Sequence, residues 1–413
     1  MRRLKSAVVL SLALAVWSAR AQEHHMVREA PPEIAFPEGK ASVSIPFSDV
    51  GNHVVLKASV NGSKPLSLVL DTGMPMGGVL LYENDTVKAL GLTYGDMRVQ
   101  VGGAGGSGAP VEARVAEGVR VTLGDLELKG MRAVVMPRLA QFPGGNDGVI
   151  GAALFRSFTV RVNQDRGEVE LIRPGRFTPA AGAASVPLSF AQGVPMVPAE
   201  VTMTSVGAPV PVTLVVDTGA MHAVTLNASS DARITVPANA LETRLGRGVS
   251  GAVLGAVGRI AALSVGGLTF PNVVAGFPSK EHESPRGADS RNGNLGMAIL
   301  RQGNVTFDYA AAKMYLERSR RYPQPFEWDM SGMVLEPAEG GGLVLAAVSG
   351  ASPAEEAGLK AGDRILRLAG EAVGGDDLLR LRELLRRDGE KLAVTVQRDG
   401  ESRDVTLRLR RRV

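Results

Sequence analysis

Cysteine is absent from the chain. That excludes disulfides, thiol catalysis, cysteine metal sites and a lipidated N-terminal cysteine, so the fold must rest on its core alone. Aromatic residues are scarce, at 4%. A strong charge of either sign is missing too: a net charge of +4 is too small a field to argue for nucleic acid as a partner. The arginine-rich stretch 408–412 reads as a last strand and solvated tail, not a binding patch. Neither Gly-x-Ser-x-Gly nor Gly-Asn-Ser-Gly-Gly occurs. The five histidines, His24, His25, His53, His222 and His282, lack the His-Glu-x-x-His spacing of a zinc site. His24 and His25 read as disordered tail, and His222 as a packed or solvated side chain close after Asp217.

Long apolar runs are lacking as well. Residues 7–17 form an apolar stretch too short for a comfortable membrane span. Arg2, Arg3 and Lys5 precede it and Ala19-Arg20-Ala21 follows it. The pattern predicts an export signal over 1–21, a mature chain from Gln22, and a periplasmic or secreted location. The alternative is an uncleaved anchor; no second span occurs.

What is present is glycine (50), proline (24) and an ordinary 45% of hydrophobic residues in 413 positions. This mix favours short strands joined by tight turns, hence a mainly β chain. At roughly 100–200 residues per domain, the length allows two to four domains.

A repeat organises the chain. Leu68-Val69-Leu70-Asp71-Thr72-Gly73 matches Leu214-Val215-Val216-Asp217-Thr218-Gly219, 146 positions on. Val149-Ile150-Gly151 matches Asn294-Leu295-Gly296, and Val160-Arg161-Val162-Asn163 matches Val305-Thr306-Phe307-Asp308, each 145 positions on. Landmarks in one order at one offset mean a duplicated unit. Alternating runs predict strands at 43–47, 54–60 and 66–70 in the first unit, with Asn61-Gly62 as a hairpin turn. Strands at 186–190, 199–204 and 210–216 repeat them in the second. The expected divisions are an N-terminal extension 22–40, a first lobe 41–173, a linker 174–184, a second lobe 185–318, a linker 319–328 and a tail domain 329–413. In the tail, Ser352-Pro353 caps a short helix, and Leu378, Leu381, Leu384 and Leu385 lie on one face of another.

Asp-Thr-Gly after an apolar strand carries chemistry. The strand puts the carboxyl in a low-dielectric interior, the glycine permits a tight loop, and the threonine hydroxyl can bond across to a partner loop. Two such loops set Asp71 and Asp217 side by side, where both cannot ionise near neutrality and one proton is shared. One carboxylate then serves as general base on a water, while the other polarises a carbonyl. The glycine-rich runs 101–108 and 245–255 occupy matching places and are candidates for mobile hairpins over a substrate, or else ordinary loops.

On these motifs, residues 40–318 resemble the retropepsin-like and pepsin-like aspartic peptidases. The resemblance implies two duplicated β-barrel lobes, a catalytic dyad Asp71 and Asp217, and support from Thr72, Gly73, Thr218, Gly219 and the packing glycines Gly151 and Gly296. It implies endopeptidase action on polypeptide substrates, with no metal or other cofactor. One departure is Met74, where the family has a small residue; Ala220 fits. Met74 offers no hydroxyl to Asp71, and its bulk is expected to narrow the site. Residues 329–413 resemble a PDZ domain of bacterial proteases through Ser352-Pro353-Ala354, Ala357-Gly358-Leu359 and Gly362-Asp363-Arg364-Ile365. That resemblance implies capture of free C-termini by the backbone of Ser331, Gly332 and Met333, or a PDZ fold used only for packing. A bilobal chain completes its dyad alone, so a monomer is expected. The rival readings are a catalytically weak or inactive exported peptide binder and a scaffold centred on the PDZ domain.

Overall fold

The computed structural model describes residues 31–103, 108–139, 146–181, 183–283, 291–338 and 341–413. The expected signal segment 1–21, His24 and His25 lie outside the described residues. No helix among the described residues is long and apolar enough to cross a membrane.

Strands dominate, as the glycine- and proline-rich composition predicts. In each repeat an apolar strand leads into the Asp-Thr-Gly loop: Leu66–Leu70 in the first, Val210–Val216 in the second. Each lies parallel to the short strand that carries the packing-glycine motif. Val69 sits opposite Val149, and Val215 opposite Asn294. The turn Val60 to Ser63 places Asn61 and Gly62 at positive φ, the conformation those two residues accept most readily.

The two lobes are stitched by antiparallel pairing of Thr159–Asn163 with Gly303–Asp308. Val160 faces Phe307 and Val162 faces Val305. Because Val305 and Phe307 are the repeat counterparts of Val160 and Val162, this seam is self-complementary, as two-fold symmetry requires. Phe155 packs edge-on to Phe307 under the seam, within a core that runs through both lobes.

The tail has its own sheet, ordered Met333–Pro337, Leu343–Val348, Arg364–Leu368, Lys391–Arg398 and Glu401–Arg408. Its separate core is built on Leu345, Ile365, Leu381 and Val394. Ser352 caps the helix Pro353–Glu356.

Three of the expected connecting segments are packed in place. Within the N-terminal extension, Glu33–Ala35 pairs with Leu126–Met136, and Phe36 packs on Phe158. Ala184, the expected end of the first linker, already opens the strand Ala184–Pro187. In 319–328, Tyr322 and Phe326 pack on Phe270 of the second lobe. Proline signalled a break at 319–328, but Phe326 finds burial there.

Candidate active site

The two Asp-Thr-Gly loops meet at the centre of the lobe pair. Thr72 N–H donates to Thr218 Oγ1 at 2.9 Å, and Thr218 N–H donates to Thr72 Oγ1 at 3.0 Å. Each hydroxyl in turn donates to a carbonyl before the other aspartate: Thr72 to Val216 O at 2.6 Å, Thr218 to Leu70 O at 2.7 Å. Both threonines are 2% exposed. Every polar atom of this small network is therefore satisfied across the boundary, which fixes the loops to each other.

Gly73 and Gly219 are required by close approach. Gly73 N–H donates to Asp71 Oδ1 at 2.7 Å, and Gly219 N–H donates to Asp217 Oδ1 at 2.9 Å. A Cβ at Gly219 would lie 2.5 Å from Asp71 Cγ, inside contact distance. Gly151 and Gly296 sit beneath: a Cβ there would lie 2.2 Å from Asp71 O and 2.3 Å from His222 O.

The carboxyls of Asp71 and Asp217 are within hydrogen-bonding reach of each other. Asp71 as a residue is half-buried, and its carboxyl is packed closely by Gly73 and Gly219. That burial first, and the charge of Asp217 second, push Asp71 up to about 8. The pair therefore favours holding one proton between its two carboxyls.

Two histidines stand beside Asp217. His53, which opens the strand His53–Val60, bonds through Nε2 to Gly219 O at 3.0 Å. The neighbouring Asn52 donates to Met221 O at 3.0 Å. His222 interacts with Asn294, and Asn294 Nδ2 donates to Asp217 Oδ2 at 2.8 Å. Burial holds both imidazoles below their ordinary range, so they are neutral. Sequence reasoning passed over His53 and the side chain of Asn294, and read His222 as a packed or solvated side chain close after Asp217. A polar residue at Asn294, where the repeat has Val149, was the available signal.

Met74 is 8% exposed and packs with Val55, Val69, Leu80, Tyr82 and Val149. Its bulk is taken up by the apolar interior of the first lobe.

The described parts of the glycine-rich runs lie at the ends of two long hairpins, Arg98–Val101 with Val111–Leu123 and Leu241–Gly248 with Gly251–Val265, while 104–107 of the first run lie outside the described residues. The tips touch: Gly108 N–H donates to Ser250 O at 2.8 Å and Gly103 N–H donates to Ser250 Oγ at 3.3 Å.

The expected carboxylate-binding loop of the tail needs correction. Ser331 and Gly332 N–H both donate to Asp329 Oδ1, at 2.9 and 3.0 Å. Met333 N–H donates to Ser331 Oγ at 2.9 Å. All three donors are used within the chain, so no free set remains for a peptide C-terminus. The adjoining edge strand, Met333–Pro337, is instead held by the second hairpin. Arg244 pairs with Glu336 and donates to Leu335 O at 3.2 Å; Arg247 bonds Glu336 at 2.6 Å.

A family profile described as aspartyl protease matches residues 56–154 and 199–299. A PDZ domain profile matches residues 344–398. Among solved structures, an aspartic proteinase from Irpex lacteus is 13% identical, covers 69% of this chain and 99% of its own, and aligns with a TM-score of 0.47. No curated protein sequence matches.

Proposed function

We propose that this chain, whose two lobes are aspartyl protease domains and whose tail is a PDZ domain, is an endopeptidase that activates water between Asp71 and Asp217. The observation that carries the reading is the reciprocal threonine network that locks two carboxyls face to face. One carboxylate takes a proton from water while the other carboxyl gives a hydrogen bond, then a proton, to the scissile carbonyl. Bringing water, base and acid together on one rigid floor converts an encounter of several partners into a local step. The hairpins that meet at Ser250 would close over an extended polypeptide.

Both carboxyls come from one chain, so the reading needs only a monomer. Residues 1–21 would export the chain to the periplasm or beyond.

The test is cleavage of an unfolded protein by the purified chain, with and without a transition-state mimic of aspartic peptidases. Cleavage abolished by the mimic supports the reading. Tight binding of the polypeptide without cleavage would favour the peptide-binder alternative.

A further inference from the structure

The two halves of the dyad are not equivalent, and the difference lies in one side chain. Val149 and Asn294 are repeat counterparts, placed in matching registers opposite Val69 and Val215. Each aspartate receives a glycine N–H on Oδ1. At Asp217 the neighbouring strand adds a side-chain donor to the second oxygen, the amide of Asn294 at 2.8 Å, whereas the further donor at Asp71 is the Gly219 N–H of the facing loop. Val149 offers Asp71 methyl groups, packed with Met74 and Leu80. His222 lies beside Asn294; its Nε2 and Asn294 Oδ1 are both buried without a hydrogen-bond partner among the described residues. A donor bonded to a carboxylate stabilises the ionised form more than the neutral one.

We propose that Asn294 is a positioning residue that keeps the negative charge of the dyad on Asp217 and its proton on Asp71. The inference rests on the peptidase reading and gives each carboxyl its role. Asp217 takes a proton from water, whose oxygen bonds to the carbonyl carbon. The carbonyl π pair moves to oxygen, which takes the proton of Asp71. In the second half Asp217 returns its proton to the amide nitrogen as the C–N bond breaks. Asp71 recovers its proton from the hydroxyl as the carbonyl re-forms. One water is consumed and the dyad is restored.

The other groups facing the pair are His53 and His222 at Asp217, and Tyr82 and Tyr309 at Asp71. Arg382 faces His53, and Arg138 and Arg156 face the two tyrosines. None is altered in the variants that test the proposal.

The experiment follows aspartate carboxyl carbons by isotope-edited NMR from pH 4 to 8 in the intact chain, with Asp71→Asn and Asp217→Asn for assignment. In the wild type, the ionised signal belongs to Asp217. In Asn294→Leu the charge spreads over both carboxyls, and the acidic limb of the pH–rate profile moves up by roughly one unit. In the swap Val149→Asn with Asn294→Val, the ionised signal moves to Asp71. A charge that stays on Asp217 in Asn294→Leu overturns the proposal, whether or not the swap folds. A merely structural Asn294 would lower stability without moving the charge. Because the titration needs no substrate, a chain that cuts nothing would defeat the peptidase reading and still leave this one decided.

Discussion

Thr72 and Thr218 are each other's hydrogen-bond donor and acceptor across the lobe boundary, at 2.9 and 3.0 Å. Neither loop can be satisfied without the other. Thr72→Val or Thr218→Val strands buried amide and carbonyl groups in the partner lobe, at a cost of about 1–3 kcal/mol for each group left unpaired. Each hydroxyl serves its own pair of backbone groups, so the double variant should lose at least the sum of the singles. Urea unfolding of the four proteins measures this; a double variant no less stable than either single would mean that the lobes do not depend on these bonds.

Asp71 gives the chain a pH signature. Its folded value is raised to about 8, above the unfolded value near 4. Between these pH values the folded state holds a proton that the unfolded state has released. Stability is therefore greatest below the unfolded value and falls as pH rises through the window, by up to about 1.4 kcal/mol per pH unit. Asp71→Asn removes this dependence. The variant should match the wild type near pH 4 and be increasingly more stable toward pH 8, as read by chemical denaturation at each pH. Parallel stability curves would mean Asp71 is ionised in the folded chain.

The hairpin contact predicts a graded effect on substrate capture. Ser250→Ala loses only the bond from Gly103 N–H to the hydroxyl, because the carbonyl still accepts from Gly108. Gly108→Ala sets a Cβ 2.4 Å from Ser250 O and must part the tips. Peptide kcat/KM should fall roughly several-fold in the first variant and by more in the second. Equal and negligible effects would show that closure of the tips does not limit capture.

The tail is expected to ignore the chemistry of a substrate's C-terminus. Asp329 accepts the N–H groups of Ser331 and Gly332 that would bind a free carboxylate. Free and amidated versions of one peptide should therefore be cut with equal kcat/KM by the full chain. Truncation also has a preferred place. Ending the chain at Pro325 removes Phe326, which is 6% exposed and packed toward Phe270, and should cost about 1.5–3 kcal/mol more than ending it at Trp328. A clear preference for the free terminus would mean that Asp329 swings out to admit it.

Much of this was legible because the chemistry is written twice. The paired Asp-Thr-Gly loops, the apolar strands before them and the glycines at 151 and 296 share one offset, and a repeat of that kind constrains a fold without any long-range information. The threonine bonds followed from a hydroxyl placed next to a facing loop. Asn294 was harder because its role exists only by contrast with Val149, and His53 because 166 positions separate it from Gly219, the residue it bonds. Ser331 to Met333 misled for another reason. The carboxylate that meets these N–H groups belongs to Asp329 two residues earlier, and local side-chain bonding of that kind competes with ligand binding. The segment 319–328 reads as a linker from its prolines, yet Tyr322 and Phe326 bury against Phe270.

The most direct test of the account replaces each dyad carboxyl in turn. Asp71→Asn and Asp217→Asn preserve shape and remove one proton-transfer partner each. Cleavage of an unfolded protein is followed at a fixed enzyme concentration, alongside circular dichroism of each variant. The account predicts native spectra for both variants and turnover reduced by about 100-fold or more in each, because neither acid nor base can stand in for the other. Near-normal turnover in either folded variant would contradict it.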